Sequence, residues 1–137
     1  MTEFRRYDEV AVGDVFSSEP LRFDVTAERV AAFLAATGNI DPAYAAKRAR
    51  VPSMIASVYL IEVLRARNSP PGGIHAKQSL RFHRSVVIGQ TVIIHAWVVE
   101  KFIRKDRPYV VSDFEARDED GELVSTGRIT SIWGEDP

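Results

Sequence analysis

The pattern of hydrophobic and polar positions divides the chain into a helical first half and a strand-rich second half. Between residues 26 and 38, apolar residues recur at i, i+3, i+4 and i+7, as on one face of an amphipathic helix. Residues 54–66 are apolar on nearly every side for their first ten positions, which indicates a buried helix. From residue 74 onward, β-branched and aromatic residues dominate, which is typical of strands.

Local signals place the ends of the early elements. Apolar and polar residues alternate within residues 15–25, which predicts a short strand before the first helix. Thr26 is a suitable N-cap for that helix, and Gly38 accepts the left-handed conformation that ends one. We also expect a short basic helix over residues 45–50.

Four longer strands are predicted, at residues 74–87, 91–103, 109–117 and 123–133. Short turns separate these strands, and connections of this length join antiparallel neighbours. A sheet of this size needs cover on one face, and the only all-apolar helix is the second one. We therefore predict a single α+β domain over residues 1–137, with a long antiparallel sheet wrapped around a central buried helix.

Composition narrows the classes of function. Hydrophobic residues make up 45% of the chain and charged residues 27%, a balance typical of globular proteins. The formal net charge of -1 argues against a nucleic-acid binder, which normally carries a basic excess. The chain has no cysteine, which excludes disulfides, thiolate metal sites and cysteine nucleophiles. Because neither a signal-peptide pattern nor a long apolar run is present, we expect a cytoplasmic protein without a membrane span.

Residues 36–44 lie between the two predicted helices and are dense in turn-forming residues. Asn39 and Asp41 are suited to bonding the local backbone, and Pro42 fixes φ. Polar side chains held rigidly at such a break can form a functional site. The alternative is a loop that only connects two helices.

Three segments, in this order, resemble the MaoC-like family of (R)-specific enoyl-CoA hydratases and 3-hydroxyacyl dehydratases. Residues 12–14, Val-Gly-Asp, are similar to the family's early Gly-Asp. Residues 26–38 are similar to its first helix, which runs into a loop of pattern Gly-Asp-x-Asn-Pro-x-His. Residues 79–92 are similar to its strand–turn–strand segment. The resemblance implies the hotdog fold and a substrate that is an acyl thioester of coenzyme A or acyl carrier protein, with no cofactor.

The loop departs from the family's pattern at both positions that carry chemistry. Gly38 and Pro42 match, but Asn39 stands where the family has its catalytic Asp, and Tyr44 where it has its catalytic His. An Asn amide does not exchange protons near neutral pH, and Tyr titrates near about 10. Asp41 is the nearest carboxylate and is either a replacement acid–base group or a turn cap. The resemblance thus gives Asn39, Asp41 and Tyr44 as catalytic candidates, with Pro42 beside the substrate.

The resemblance also implies a role for the start of the central helix. In the family, helix N-terminal amides bind the thioester carbonyl as an oxyanion hole. The substrate-binding candidates at this turn are Ile55, Ala56 and Ser57. Ordinary helix capping is the alternative.

Other chemistry-bearing residues have a plainer alternative. Glu62 lies on the apolar helix, where an acid needs a partner or a task, and hotdog thioesterases use a helix carboxylate to activate water. The alternative is an ion pair with Arg65 or Arg67. No metal site is expected, because three strand histidines lack the spacing of metal ligands: His75, His83 and His95.

Three functions stay open from the sequence. The chain is an active hydratase or dehydratase with an atypical site, a non-catalytic partner subunit of a heteromeric dehydratase, or a hotdog thioesterase. A single-layer sheet with an unpaired edge favours pairing with another chain. We expect a homodimer, or a heterodimer with another hotdog chain.

Overall fold

The computed structural model describes residues 3–44 and 50–135, which form two α-helices and one antiparallel sheet. The five strands of the sheet are β1 Leu21–Asp24, β2 Ile74–Phe82, β3 Thr91–Arg104, β4 Arg107–Asp118 and β5 Leu123–Ile132. They lie in the order β1-β3-β4-β5-β2. The predicted pairing of β2 with β3 across their short connection is therefore wrong, because β2 crosses to the far side of the sheet and pairs with β5. The helices are α1 Ala27–Thr37 and α2 Ala56–Ala66, and a 3₁₀ turn, Ser53–Ile55, leads directly into α2. The predicted α+β architecture is confirmed.

Helix α1 begins and ends at its predicted cap residues. The Thr26 hydroxyl accepts a hydrogen bond from an amide of the first turn at 3.2 Å. Gly38 has a φ of 67°, and its amide donates to the Ala35 carbonyl at 3.2 Å. The next amide, of Asn39, donates to the Leu34 carbonyl at 2.9 Å. This pair of bonds is a Schellman motif, which closes the helix and sets the direction of the loop that follows.

Helix α2 lies against one face of the sheet and forms the main hydrophobic core with it. Its residues Tyr59, Leu60 and Val63 are 2% exposed or less. They share one buried cluster with inward-facing residues of three strands, which are Ile94, Ala96, Phe114, Ala116 and Ile129. Because successive strand residues point to opposite faces, the residues between these point away from α2, on what we call the outer face.

The start of α2 is tied to the connection between β2 and β3. The Val51 amide donates to the Val86 carbonyl at 2.9 Å, and Arg50 forms an isolated bridge with Val87. The strand predicted over residues 74–87 was therefore too long. It ends at Phe82, because the residues that follow turn away to pair with the segment before α2.

The predicted basic helix over residues 45–50 falls mostly on residues 45–49, which lie outside the described residues. Its last member, Arg50, is in a β-bridge and not in a helix. Among the described residues, no helix combines the length and the apolar character that a membrane span requires.

Contacts with β5 and with the N-terminal segment hold the end of α2 in place. Arg67, which follows the helix, is only 8% exposed, and its Nη1 donates to the Ser131 hydroxyl at 2.6 Å. Its guanidinium lies 5.3 Å from the ring centre of Trp133. The Trp133 indole in turn donates to the Arg5 carbonyl at 2.8 Å, so the N-terminal segment closes over this end. No carboxylate pairs with Arg67 among the described residues, and burial lowers the pKa of its guanidinium to about 10.

Strands β1 and β2 are the two edges of the sheet. β1 has only four residues, whereas β2 has nine, of which eight are exposed. Within the described part of the chain, β2 pairs with β5 on one side and with nothing on the other. We call this free side the β2 edge.

Candidate active site

The loop after α1 is shaped by its own polar side chains. Asn39 Oδ1 accepts a hydrogen bond from the Asp41 amide at 3.0 Å. Asp41 Oδ1 accepts one from the Ala43 amide, also at 3.0 Å. The Tyr44 amide donates to the Asp41 carbonyl at 3.1 Å, within the 3₁₀ turn Pro42–Tyr44. These local bonds are the ones that Asn and Asp form in turns, so both side chains hold the loop's conformation.

This loop lies at the surface of the molecule. Asp41 and Pro42 are exposed, and Asn39 and Tyr44 are half-buried. Between them, the Ile40 side chain is 93% exposed, although isoleucine is normally buried. An apolar side chain in this position is available to contact a ligand or another chain.

The sequence around the loop offers little acid–base chemistry. From residue 38 to residue 61, Asp41 is the only carboxylic acid, and there is no histidine. This count includes the residues that the structure does not describe. The next carboxylate, Glu62, forms an ion pair with Arg65 at 3.3 Å, as the alternative interpretation of Glu62 predicted.

The amides at the start of α2 differ in their hydrogen bonding. The Ile55 amide donates to the Pro52 carbonyl at 3.0 Å, and the Ala56 amide donates back into the same 3₁₀ turn. The first two residues of the turn, Ser53 and Met54, have no preceding helical carbonyl to bind. Both residues are exposed, and they directly precede the predicted trio of Ile55, Ala56 and Ser57.

A small cavity lies between this turn and the sheet. It is lined by Ser53, Ile55, Tyr59, Phe82, Arg84, Val86 and Val124, and its volume is about 10 Å³. That is room for about one water molecule. This space, as the described residues enclose it, is too small for an acyl chain.

The wall of this cavity includes a buried phenol. The Tyr59 hydroxyl hydrogen-bonds to the Ser125 hydroxyl of β5. Burial raises the pKa of Tyr59 above its usual value, and the bond to Ser125 opposes only part of that effect. The phenol is accordingly neutral near pH 7 and can donate or accept a hydrogen bond, but it is not a base.

Arg84 is a cavity residue to which the sequence analysis gave no role. Its Nη1 lies 3.7 Å from Asp118 Oδ2 and 3.8 Å from Glu122 Oε2. Asp118 is 3% exposed and caps the β4–β5 hairpin by accepting from two backbone amides. The only signal was position, because Arg84 lies within residues 79–92, which resemble the MaoC-like strand–turn–strand segment.

The histidines lie apart from the loop chemistry. His83 hydrogen-bonds to the Thr126 hydroxyl at 3.0 Å, and the His95 ring lies 5.5 Å from the Trp97 ring, both on the outer face. His75 is exposed on β2. In the described ranges, no three residues among His, Asp and Glu cluster in a way that holds a metal ion.

Solved structures show the same fold. The R-hydratase PhaJ1 from Pseudomonas aeruginosa, unliganded, superimposes with a TM-score of 0.80 at 22% identity, over 95% of this chain and 86% of that one. A MaoC-like dehydratase from Rhodospirillum rubrum gives 0.71 at 18% identity, over 95% and 97%. A C-terminally truncated HadBC complex from Mycobacterium tuberculosis, a 3R-hydroxyacyl-ACP dehydratase, gives 0.68 at 19% identity, over 90% and 96%.

The sequence comparisons give the family. No curated protein sequence matches the chain significantly. Residues 10–127 match the family model described as "FAS1-like, dehydratase domain region", which spans most of the chain. With the structural neighbours, this match confirms the hotdog fold and the predicted likeness to MaoC-like hydratases and dehydratases. The chain belongs to the FAS1-like dehydratase domain region family.

Proposed function

We propose that this chain binds an acyl thioester in a degenerate hydratase–dehydratase site and acts as the non-catalytic subunit beside another hotdog chain. The observation that carries the proposal is the chemistry of residues 38–61, which hold one carboxylate and no imidazole. That carboxylate, Asp41, accepts a backbone hydrogen bond in the loop turn. Asn39, at the position of the family's catalytic Asp, does the same.

The magnitude of the loss supports a binding role. A positioned acid or base contributes typically about 10²–10⁴-fold to rate, and here both family positions lack one. Binding of the thioester carbonyl needs only backbone amides, and the turn before α2 begins with two exposed residues, Ser53, which lines the cavity, and Met54. Carbonyl binding is thus retained where proton transfer is lost.

Two observations support a partner chain. Among the described residues, the cavity beside the helix start has room for only about one water molecule, which is too little for an acyl chain. The similar HadBC structure is a complex that acts as a 3R-hydroxyacyl-ACP dehydratase. We infer that a second hotdog chain supplies the acid–base pair and extends the acyl pocket, with coenzyme A or acyl carrier protein as the carrier.

The test compares the wild type with the Asn39→Asp/Tyr44→His double variant in hydration of crotonyl-CoA. We expect no turnover above buffer from the purified wild type. The double variant restores both family side chains and should gain at least about 100-fold over that background. The Asn39→Gln/Tyr44→Phe variant is the matched control, because it alters the same two positions without supplying an acid or base.

Each other result has a definite meaning. Turnover by wild type alone shows that the chain is itself a hydratase. A double variant that binds crotonyl-CoA but stays inactive would show that the loop after α1 is not part of the active site. Release of free thiol from acyl-CoA assigns thioesterase activity instead, which the ion pair between Glu62 and Arg65 disfavours.

A further inference from the structure

The β2 edge carries cations that the rest of the structure leaves unneutralised. Lys77 and Arg81 both lie on the outer face of β2, where their cross-strand neighbours on β5 are Thr130 and Thr126. Among the described residues, neither cationic side chain has a hydrogen bond or an ion pair. Arg81 lines a surface depression with Asp113 and Glu115, but these carboxylates pair with Arg128 at 2.7 Å and with Arg117 at 3.4 Å.

The sequence around this strand contains no counter-charge. No Asp or Glu occurs from residue 63 to residue 99, a segment that includes all of β2 and both of its flanks. The segment is rich in basic side chains and histidines, which are Arg65, Arg67, His75, Lys77, Arg81, His83, Arg84 and His95.

This composition decides which strand can pair with the β2 edge. In a two-fold pairing of β2 with β2 of a second copy, every register brings basic or neutral residues opposite Lys77 and Arg81. The register centred on Ser79 places Lys77 directly opposite Arg81 twice. Like charges directly opposite each other on neighbouring strands destabilise the pair.

The other edge of a second copy does not supply the missing charges. β1 has four residues, Leu21–Asp24, and the residue before it is Pro20. It cannot present two carboxylates four positions apart. Proline also lacks the amide that a ladder requires.

The edge is nevertheless built as an interface. β2 is nine residues long with one side unpaired. Exposed apolar side chains lie at both ends of β2, with Ile74 48% and Phe82 41% exposed. Long edges with apolar flanks recruit another strand.

We propose that the β2 edge pairs with an edge strand of a different chain that carries carboxylates opposite Lys77 and Arg81. The two cations are four residues apart, about 13 Å along the strand, so the partner's acids share that spacing. This inference deepens the proposed function, because it specifies the chemistry of the partner subunit's edge. The ion pairs then select the different chain over a second copy.

The test uses the chain itself to make the acidic edge. A tagged Lys77→Glu/Arg81→Glu variant is mixed with untagged wild type, and the three pairings are quantified by native mass spectrometry and analytical ultracentrifugation. At low salt, we expect the mixed dimer to be about tenfold tighter than the wild-type homodimer. The preference should decline when the ionic strength is raised to about 0.5 M, because screening weakens surface charge pairs.

A tagged Lys77→Gln/Arg81→Gln variant is the control, because it removes the charges without reversing them. It should associate with itself more tightly than the wild type does, without a preference for the wild-type chain. Amide hydrogen exchange over residues 74–82 should slow in the mixed dimer, since strand pairing occupies the free amides of β2.

Three results would overturn the proposal. The first is a wild-type homodimer at least as tight as the mixed dimer at low salt. The second is salt-dependent association without slower exchange in β2, which indicates side-chain docking and not strand pairing. The third is no association of wild type with the acidic variant. None of these readouts uses turnover, so a failure here leaves the hydratase test untouched, and the reverse also holds.

Discussion

The two ends of α2 are built in opposite ways. At its end, Arg67 is buried against Ser131 and Trp133, and the N-terminal segment closes over them. At its start, Met54 is 48% exposed, the first amides are free of helical partners, and the adjoining cavity holds about one water molecule. The contacts at the end of α2 therefore contribute stability, whereas under the proposed function its start contributes binding.

The largest effect is expected at Gly134, which lies against the chain just beyond α2. A Cβ built there would be 1.8 Å from the Pro70 carbonyl oxygen and 2.7 Å from that of Pro71, both backbone atoms. Gly134→Ala should therefore lower the free energy of unfolding by about 3 kcal/mol or more, measured by urea denaturation. Gly121→Ala is the control, because its added Cβ meets open space and only its φ of 80° is strained. It should cost about 1 kcal/mol, and equal costs would contradict the tight packing at this end.

Arg67 is expected to matter through its volume more than its charge. Arg67→Ala leaves a void beside Trp133 and an unpaired Ser131 hydroxyl, and should cost about 2–3 kcal/mol in the free energy of unfolding. Arg67→Met keeps most of the volume and removes a buried cation without a carboxylate, so it should lie within about 1 kcal/mol of wild type. Equal losses for both variants would show that the charge itself stabilises the fold.

The pH dependence of that comparison follows from the pKa of Arg67. The pKa is lowered from 12.5 to about 10 in the folded chain, so the unfolded chain holds the proton to higher pH. Below the pKa of the folded chain, Arg67 is protonated in both the folded and the unfolded chain, so the free-energy cost of burying the cation is constant. Above that pKa, the folded chain loses the proton before the unfolded chain does, and the wild type gains stability from Arg67. The stability difference between wild type and Arg67→Met should therefore be flat from about pH 6 to 9. A slope in that range contradicts this assignment.

A smaller effect is expected at Tyr59, in the wall of the cavity at the helix start. Tyr59→Phe removes the partner of the buried Ser125 hydroxyl and should cost about 1–2 kcal/mol in thermal or urea unfolding. Tyr59→Phe/Ser125→Ala should recover part of that loss, because no buried hydroxyl is then left without a partner. A double variant less stable than the sum of the single changes would contradict the bond's role.

The smallest effect on stability is expected at Met54. Met54→Ser should change the free energy of unfolding by less than about 0.5 kcal/mol, because the side chain is half exposed. Its effect should instead be seen in binding, as a weaker association with a partner chain in ultracentrifugation. The matched change Val63→Ser, in the fully buried part of α2, should destabilise strongly. Similar stabilities of the Met54→Ser and Val63→Ser variants would remove the distinction between the exposed turn before α2 and the buried face of α2.

Much of the fold was predictable because it depends on local patterns. Thr26 and Gly38 bound α1 as cap chemistry predicts, and the turns after β3 and β4 join antiparallel neighbours as expected. The turn after β2 does not, because β2 pairs with β5. The end of β2 was not predictable, since Val86 and Val87 continue the strand-like composition but pair with the segment before α2. That choice depends on contacts distant in sequence.

Only the turn geometry of the candidate site was predictable. Turn chemistry identified the loop, and the structure places the oxygens of Asn39 and Asp41 in its turns. The 3₁₀ turn that precedes α2 determines which amides at the helix start are hydrogen-bonded. Composition does not distinguish such a turn from the helix itself. Arg84 was missed because its contacts with Asp118 and Glu122 join the β2–β3 connection to the β4–β5 hairpin, which is distant in sequence.

The strand order also has a consequence for biosynthesis. Within the described ranges β2 pairs only with β5, so Ile74 leaves the ribosome well before its partner Ile132 exists. During that interval the nascent β2 has two free edges, a state in which chains aggregate by strand pairing. Lys77 and Arg81 interrupt the strand's apolar residues with like charge, which opposes pairing between nascent chains on neighbouring ribosomes. The same cations that select a partner for the finished protein thus protect the unfinished one.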